Sequence, residues 1–191
     1  MKRIFLLILI TSSVLSAIAQ SKYYLDNSKS SLIIEGTSSV HDWEMEANDL
    51  KSDMMVRFNG QKIEEITDAS FSSPADQVLS DNSIMNSKTH KALKADDYSV
   101  IHFNMRSVSG LNVNGSNISG QAIGVVKIAG VSKTIRVSFN GKVNGDRSIS
   151  IQGTVPLKMT DFKIDPPTAM LGALKTGDNV KINYNFLYKN R

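Results

Sequence analysis

Three histidines, His41, His90 and His102, are the only side chains here whose ordinary pKa lies near neutrality, and the chain has no cysteine. A thiol nucleophile, a disulfide and a cysteine-held metal are therefore excluded. His41 stands beside Asp42, as a base might stand beside its orienter, but consecutive strand residues point to opposite faces and do not easily meet. The histidine spacing matches no zinc signature, and His102 faces outward if Ile101 and Phe103 face inward. No Gly-x-Ser-x-Gly elbow is present. No catalytic residue and no metal ligand is nominated, and the residue types favour binding over catalysis. His41 shares pleat parity with Trp43 and Met45, so it is either a polar contact inside a closed sheet or an ordinary strand end. Lys133 either meets an anionic group at a rim or is a solvated turn lysine.

The elements that would carry these residues are mostly strands. Trp43, Met45 and Ala47 alternate with Asp42, Glu44 and Glu46, and Leu50, Met54, Val56 and Phe58 share a face before the Asn59-Gly60 turn. A weaker strand covers about Ile63 to Phe71, and Ser72 to Asp76 breaks the pattern. From Tyr98 onward the period of two is nearly continuous. Ile101, Phe103 and Met105 share a face, as do Ile118, Ala122, Val126 and Ile128. So do Ile135, Val137 and Phe139; Ile149, Ile151, Val155 and Leu157; and Val180, Ile182, Tyr184 and Phe186. One helix interrupts the strands, between about Asn82 and Ala95, with Asn82, Ser83, Asn86 and Ser87 as usable N-caps. Its apolar stripe is narrow, Ile84, Met85, Ala92 and Leu93, so it must lie on something apolar such as the mouth of a barrel.

The chain opens with Lys2 and Arg3, an apolar run from Ile4 to Ile10, and an Ala17-Ile18-Ala19 exit. This describes a secretory signal peptide over residues 1–19, its greasy part falling short of the roughly 20 residues that span a bilayer. Its removal takes two bases and no acid, lowering the formal charge from +4 to +2. With no basic run or aromatic-studded basic face, nucleic acid is excluded as a partner. The remainder, residues 20–191, suits one domain, and 41% hydrophobic residues suffice for a sizeable core without disulfides.

Eight or nine short antiparallel strands with one greasy face each leave a barrel or a sandwich. Gly120, Ala122 and Gly124 follow one another on an inward parity, and Gly153 sits similarly between Ile151 and Val155. Such glycines either leave room for a guest or serve as bends, and both readings stand. Met45, Met54, Met85, Met105 and Met159 recur at presumed inward or lid positions, where thioethers suit an adaptable lining as well as an ordinary core. The Thr160–Asp178 segment, with Pro166-Pro167, Ala169-Met170-Leu171 and Leu174, is long for a hairpin and reads as a second flap over the barrel end.

Taken in order, Val40-His41-Asp42-Trp43, Met85-Asn86-x-Lys88, Ala92-Leu93-Lys94, Tyr98-x-x-Ile101-x-Phe103, Ile118-x-Gly120 and Ile128-x-Gly130-Val131-x-Lys133 resemble the YceI-like family. Val155-x-Leu157, Asp161-Phe162-x-Ile164-x-Pro166-Pro167 and Gly177-Asp178-x-Val180-x-Ile182 continue the resemblance across roughly Ser30 to Tyr188. It implies an all-β, extended, lipocalin-like antiparallel barrel with one short helix as lid, exported to the periplasm. In characterised relatives the barrel encloses an amphiphile with a polyisoprenoid tail. The segments Glu35 to Trp43 and Lys88 to Leu93 depart from the best-known pattern, which places the chain in a divergent branch.

The resulting expectation is a periplasmic or secreted, non-enzymatic lipid-binding barrel holding an isoprenoid or isoprenoid quinone for carriage or sequestration, with no cofactor besides that lipid. It has no stable membrane span, and an open barrel edge would permit a homodimer. The ligand contacts expected are His41, Trp43, Met45 and Phe58 from the early strands, and Met85 and Leu93 from the helix. Phe103, Gly124, Phe139 and Phe186 supply the rest. The alternative is a ligand-free structural or interaction barrel of the envelope.

Overall fold

The computed structural model describes residues 20–169 and 174–190, so the leader expected over residues 1–19, and Met170 and Leu171 of the expected flap, lie outside the described residues. The strands are β1 (Gln20–Leu25), β2 (Ser31–Ser38), β3 (Trp43–Ala47), β4 (Lys51–Asn59), β5 (Lys62–Pro74) and β6 (Val78–Leu79). After the helix α1 (Ser83–Leu93) come β7 (Val100–Asn114), β8 (Asn117–Ile128), β9 (Val131–Val143), β10 (Ile149–Lys158), β11 (Thr168–Ala169) and β12 (Leu174–Asn190). All pairings are antiparallel. The ring β1-β4-β5-β7-β8-β9-β10-β12 closes because β1 pairs with β4 through Gln20↔Arg57 and with β12 through Leu25↔Tyr188.

The same edge of β12 that takes β1 near Tyr188 takes β2 over Thr176–Asn185, so β1 and β2 are two lengths of one stave, broken by a 3-10 turn at Asn27–Lys29. β3 and β4 form a second broken stave, and β5 and β6 a third, interrupted by the 3-10 turn Ala75–Gln77. The three breaks are stitched together. Leu50 N donates to Asn27 Oδ1 at 3.1 Å, Asn48 N to the Gln77 carbonyl at 2.9 Å, and Ser73 Oγ to the Asn48 carbonyl at 3.0 Å. Backbone groups freed by the breaks thus regain partners. This belt also carries β5 through Pro74, beyond the Phe71 end expected from sequence. Ser72, Ser73 and Pro74 pair with His102, Ile101 and Val100, and neighbouring strands supply a ladder that local composition does not reveal.

α1 begins where Asn82 Oδ1 accepts from Ile84 N and Met85 N, and it ends at Lys94 in the left-handed conformation. It lies over the short outer strand β6, with His90 Nε2 donating to the Val78 carbonyl at 3.1 Å, so an otherwise open sheet edge is covered. The two ends of the barrel differ. At the closed end Tyr23, Val56, Ile118 and Ile149 are buried to 2% exposure or less and fill the lumen. At the α1 end the inward faces diverge around a cavity.

Candidate functional site: a lidded apolar cavity

The space is a cavity of about 570 Å³, lined mostly by apolar atoms from nearly every stave and roofed by α1. Its lining follows the period of two: Leu32 and Ile34 from β2, Ala122 and Val126 from β8, Ile135 and Val137 from β9. Met45, Met54, Met85, Met105 and Met159 all face it. Thr89 Oγ1 on the lid meets Met45 Sδ on the wall at 3.2 Å, and Lys88 Nζ donates to the Thr168 carbonyl at 2.7 Å, tying the lid to β11. Phe162 and Ile164, from the segment after β10, are buried against Val126 and Ala129. Ala92 and Leu93 pack on the same cluster, so the flap and the helix share one end of the barrel.

The structure brings eight of the ten nominated contacts to this cavity: His41, Trp43, Met45, Met85, Leu93, Phe103, Phe139 and Phe186. His41 is at the exposed rim, and its Nδ1 donates to the Asp42 carbonyl at 2.7 Å rather than to a carboxylate. Phe186 lies deep, stacked on Phe71 at 5.7 Å and tilted against Tyr184 at 5.2 Å. Phe58 does not line the cavity. It packs on Tyr23 at the closed end, 6.1 Å between centroids, with the Arg147 guanidinium 4.8 Å above its ring. Parity assigned Phe58 to the inward face correctly, but its height on the barrel puts it among the plug.

Gly124 is likewise outside the lining, and close approach by neighbouring groups explains the inward glycines. A Cβ there would meet the Asn104 carbonyl oxygen and Phe103 Cζ, the latter at 2.6 Å, and one on Gly120 would meet Phe139 Cζ at 2.9 Å. Gly36 lies under the Trp43 indole, and Gly153 under the Tyr184 ring. Each glycine accommodates an aromatic ring from an adjacent strand, and Gly124 and Gly153 also take the close approach of a neighbouring backbone carbonyl, from Asn104 and Ser138, so rings that would fill the lumen lie against its wall. The glycines neither leave a void nor only bend the chain. Ile84, placed on the buried stripe by sequence, is 69% exposed.

Several polar groups of the site escaped the sequence reading. Lys88, Lys158 and Lys175 stand at the cavity rim, whereas Lys133 is exposed and away from it. At depth, Tyr188 Oη and Ser52 Oγ lie 2.7 Å apart, and Ser52 Oγ donates to the Ser70 carbonyl. Burial pushes the Tyr188 hydroxyl up to about 12 against a smaller lowering by Ser52, so it stays a neutral hydrogen-bonding group. Burial likewise raises Tyr184, whose Oη donates to the Ser138 carbonyl at 2.9 Å. That bond spans the seam beyond Gln152↔Asn140, where β9 and β10 cease to pair. Ser52, Tyr184 and Tyr188 share the parity of Met54 and Phe186, a signal that could have found them. Among the described residues no cluster of three or more His, Cys, Asp or Glu gathers to hold a metal, and no helix is long and apolar enough to cross a membrane.

A closed antiparallel ring with one packed end and one lidded, apolar end is a lipocalin-like barrel. The chain belongs to the YceI-like family, whose YceI-like domain model matches residues 23–187. Among solved structures it is similar to BcnA of Burkholderia cenocepacia, at 17% identity and a TM-score of 0.66 over 85% of this chain and 98% of that one. It is also similar to a polyisoprenoid binding domain from Saccharophagus degradans implicated in plant cell wall breakdown, at 16% identity and a TM-score of 0.70 over 88% and 98%. A Campylobacter jejuni YceI protein matches at 20% identity and 0.56 over 76% and 82%. Among curated proteins, none matches the chain significantly.

Proposed function

We propose that this protein encloses the tail of a long isoprenoid-type amphiphile, an isoprenoid or isoprenoid quinone, and carries or sequesters it without catalysis. In this reading residues 1–19 are a cleaved export leader, and the barrel works in the periplasm or outside the cell. The observation that carries the reading is the cavity itself: about 570 Å³ of apolar-lined space at one end of a barrel whose other end is packed solid. Such a volume falls within the range of small-molecule sites, and its apolar walls offer a guest both dispersion contacts and apolar burial. Tail burial at about 25 cal/mol per Å² would drive binding, with the rim polar groups and the deep Ser52–Tyr188 pair setting orientation. The description of the Saccharophagus degradans domain as polyisoprenoid binding supports the ligand class.

The test is organic extraction and mass spectrometry of residues 20–191, purified from their own envelope without detergent. A stoichiometric isoprenoid or quinone is the expected result and names the ligand. An empty barrel that takes up no offered isoprenoid would overturn the reading in favour of an interaction protein.

A further inference from the structure

Three large apolar side chains stand out in solvent among the described residues, Val40 at 63% exposed, Ile84 at 69% and Tyr98 at 41%. Ile84 lines the cavity mouth, and Val40 lies in the chain between the lining residues Ser38 and His41. Val40 tips a tight turn in which Ser38 Oγ donates to the His41 carbonyl at 2.7 Å and Ser38 N donates to the same carbonyl at 3.1 Å. That turn is bound to the start of β12: Ser39 N donates to the Lys175 carbonyl at 2.9 Å, and Lys175 N to Ser39 Oγ at 3.2 Å. Lys175 is in register with Thr168 of β11, whose carbonyl accepts from Lys88 Nζ. Lys88 sits one helical turn beyond Ile84 on the same face of α1. A chain of contacts therefore runs from the Val40 turn through Lys175, Thr168 and Lys88 to Ile84, along one lip of the opening. Val40 and Ile84 belong to neither core cluster, and although Ile84 borders the cavity, both side chains remain mostly in solvent.

We propose that the Val40 turn and the first turn of α1 are two prongs that insert into the interfacial layer of a lipid bilayer and seat the cavity mouth on the membrane. This deepens the carrier reading and rests on it for its purpose, since a tail passing directly from bilayer to cavity need not cross water. The occupant is a bilayer rather than a second protein because two isolated side chains supply far less than the roughly 1,200 Å² of a stable protein interface. They suit shallow, reversible insertion. Lys88 and Lys175 beside them can lay their stems on the apolar layer and keep their ammonium groups at phosphate level. Asp42 and Asp81, exposed and next in the chain to the lining residues His41 and Asn82, offset those two charges, so docking depends on apolar insertion and proceeds on zwitterionic vesicles as well as anionic ones.

Trp43 is the sole tryptophan and lines the mouth three residues beyond Val40, so its emission reports the docked state. The probe is vesicles of phosphatidylcholine, with and without phosphatidylglycerol, carrying acyl-brominated lipid, mixed with residues 20–191, which contain every element of the barrel. The expected result is quenching of Trp43 and cosedimentation with both vesicle types. In the double variant V40D/I84D partitioning falls at least about a hundredfold, each lost prong being worth roughly a factor of ten or more, while the thermal midpoint is unchanged. The variant N112D/N185D adds the same charge on the outer wall and is expected to partition as the wild type does. Unchanged partitioning of V40D/I84D, an equal loss in N112D/N185D, or wild-type dimers that ignore vesicles would each overturn the proposal. Docking is read without cargo: an empty barrel that still docks defeats only the carrier reading, and a loaded barrel whose V40D/I84D variant docks normally defeats only this one.

Discussion

Replacing Gly36 with Ala tests whether the inward glycines exist to receive aromatic rings. A Cβ on Gly36 would stand 2.5 Å from Trp43 Cε2 and 2.8 Å from Cη2, with Cζ2 closer still, so the indole must lift off the wall. Gly36 and Trp43 are directly paired across β2 and β3, which leaves the ring nowhere to slide along the strand. Lifting it breaks the 3.0 Å bond from Trp43 Nε1 to the Thr37 carbonyl, about 1 kcal/mol, and overpacks the site at roughly 1–3 kcal/mol. Against this stands a gain of about 0.5–1 kcal/mol from replacing glycine within a strand. The net expectation is a loss of about 1–3 kcal/mol, a fall of several degrees in thermal midpoint for a chain of this length. Because Trp43 is the sole tryptophan, near-UV circular dichroism and emission report its displacement directly, and the ring driven into the lumen should also lower lipid uptake. A G36A protein as stable as the parent, with unaltered tryptophan spectra, would refute the argument.

Ala122 and Val137 are paired across β8 and β9 and both face the cavity, so A122W should fill the lumen and abolish isoprenoid recovery from a folded protein; full stoichiometry would contradict the assigned pocket. Asp26 is held at about 2 by hydrogen bonds from Lys189 and Ser28. A depressed carboxylate stabilises above its unfolded pKa and loses that contribution as pH falls through its folded one. The parent's thermal midpoint should therefore drop more steeply than that of D26N between about pH 4 and pH 2, and parallel curves would be the contrary result. K88M removes the tie from lid to β11, so α1 amide protons should exchange about fivefold faster, as expected for about 1 kcal/mol, while β7 and β8 amides keep their rates. Equal acceleration throughout would mean that Lys88 supports the whole fold rather than the lid.

Much of the barrel could be read before any coordinates, because a strand has a period of two and a closed sheet has one inside. Parity alone assigns Trp43, Met45, Phe103, Phe139 and Phe186 inward, and all reach the cavity. The helix was placed to within about two residues at each end by Asn82 and the narrow apolar stripe, since capping is local chemistry. The resemblance of ordered motifs gave the family that the match over residues 23–187 shows.

Position along the barrel axis was not legible, because it depends on strand register, on closure through β1 and on where the three staves break. Phe58 and Met54 stand on the same face of the same strand, yet one joins the plug and the other lines the cavity. The meaning of Gly120 and Gly124 likewise needed the neighbouring strand, since a glycine's space belongs to whichever ring lies across from it. The rim lysines were hidden for a related reason: Lys88, Lys158 and Lys175 come from three distant segments, and long-range pairing alone gathers them around one opening. Alternation assigns each residue to a face through its nearest neighbours, whereas height and mouth are set by contacts between segments far apart in the chain.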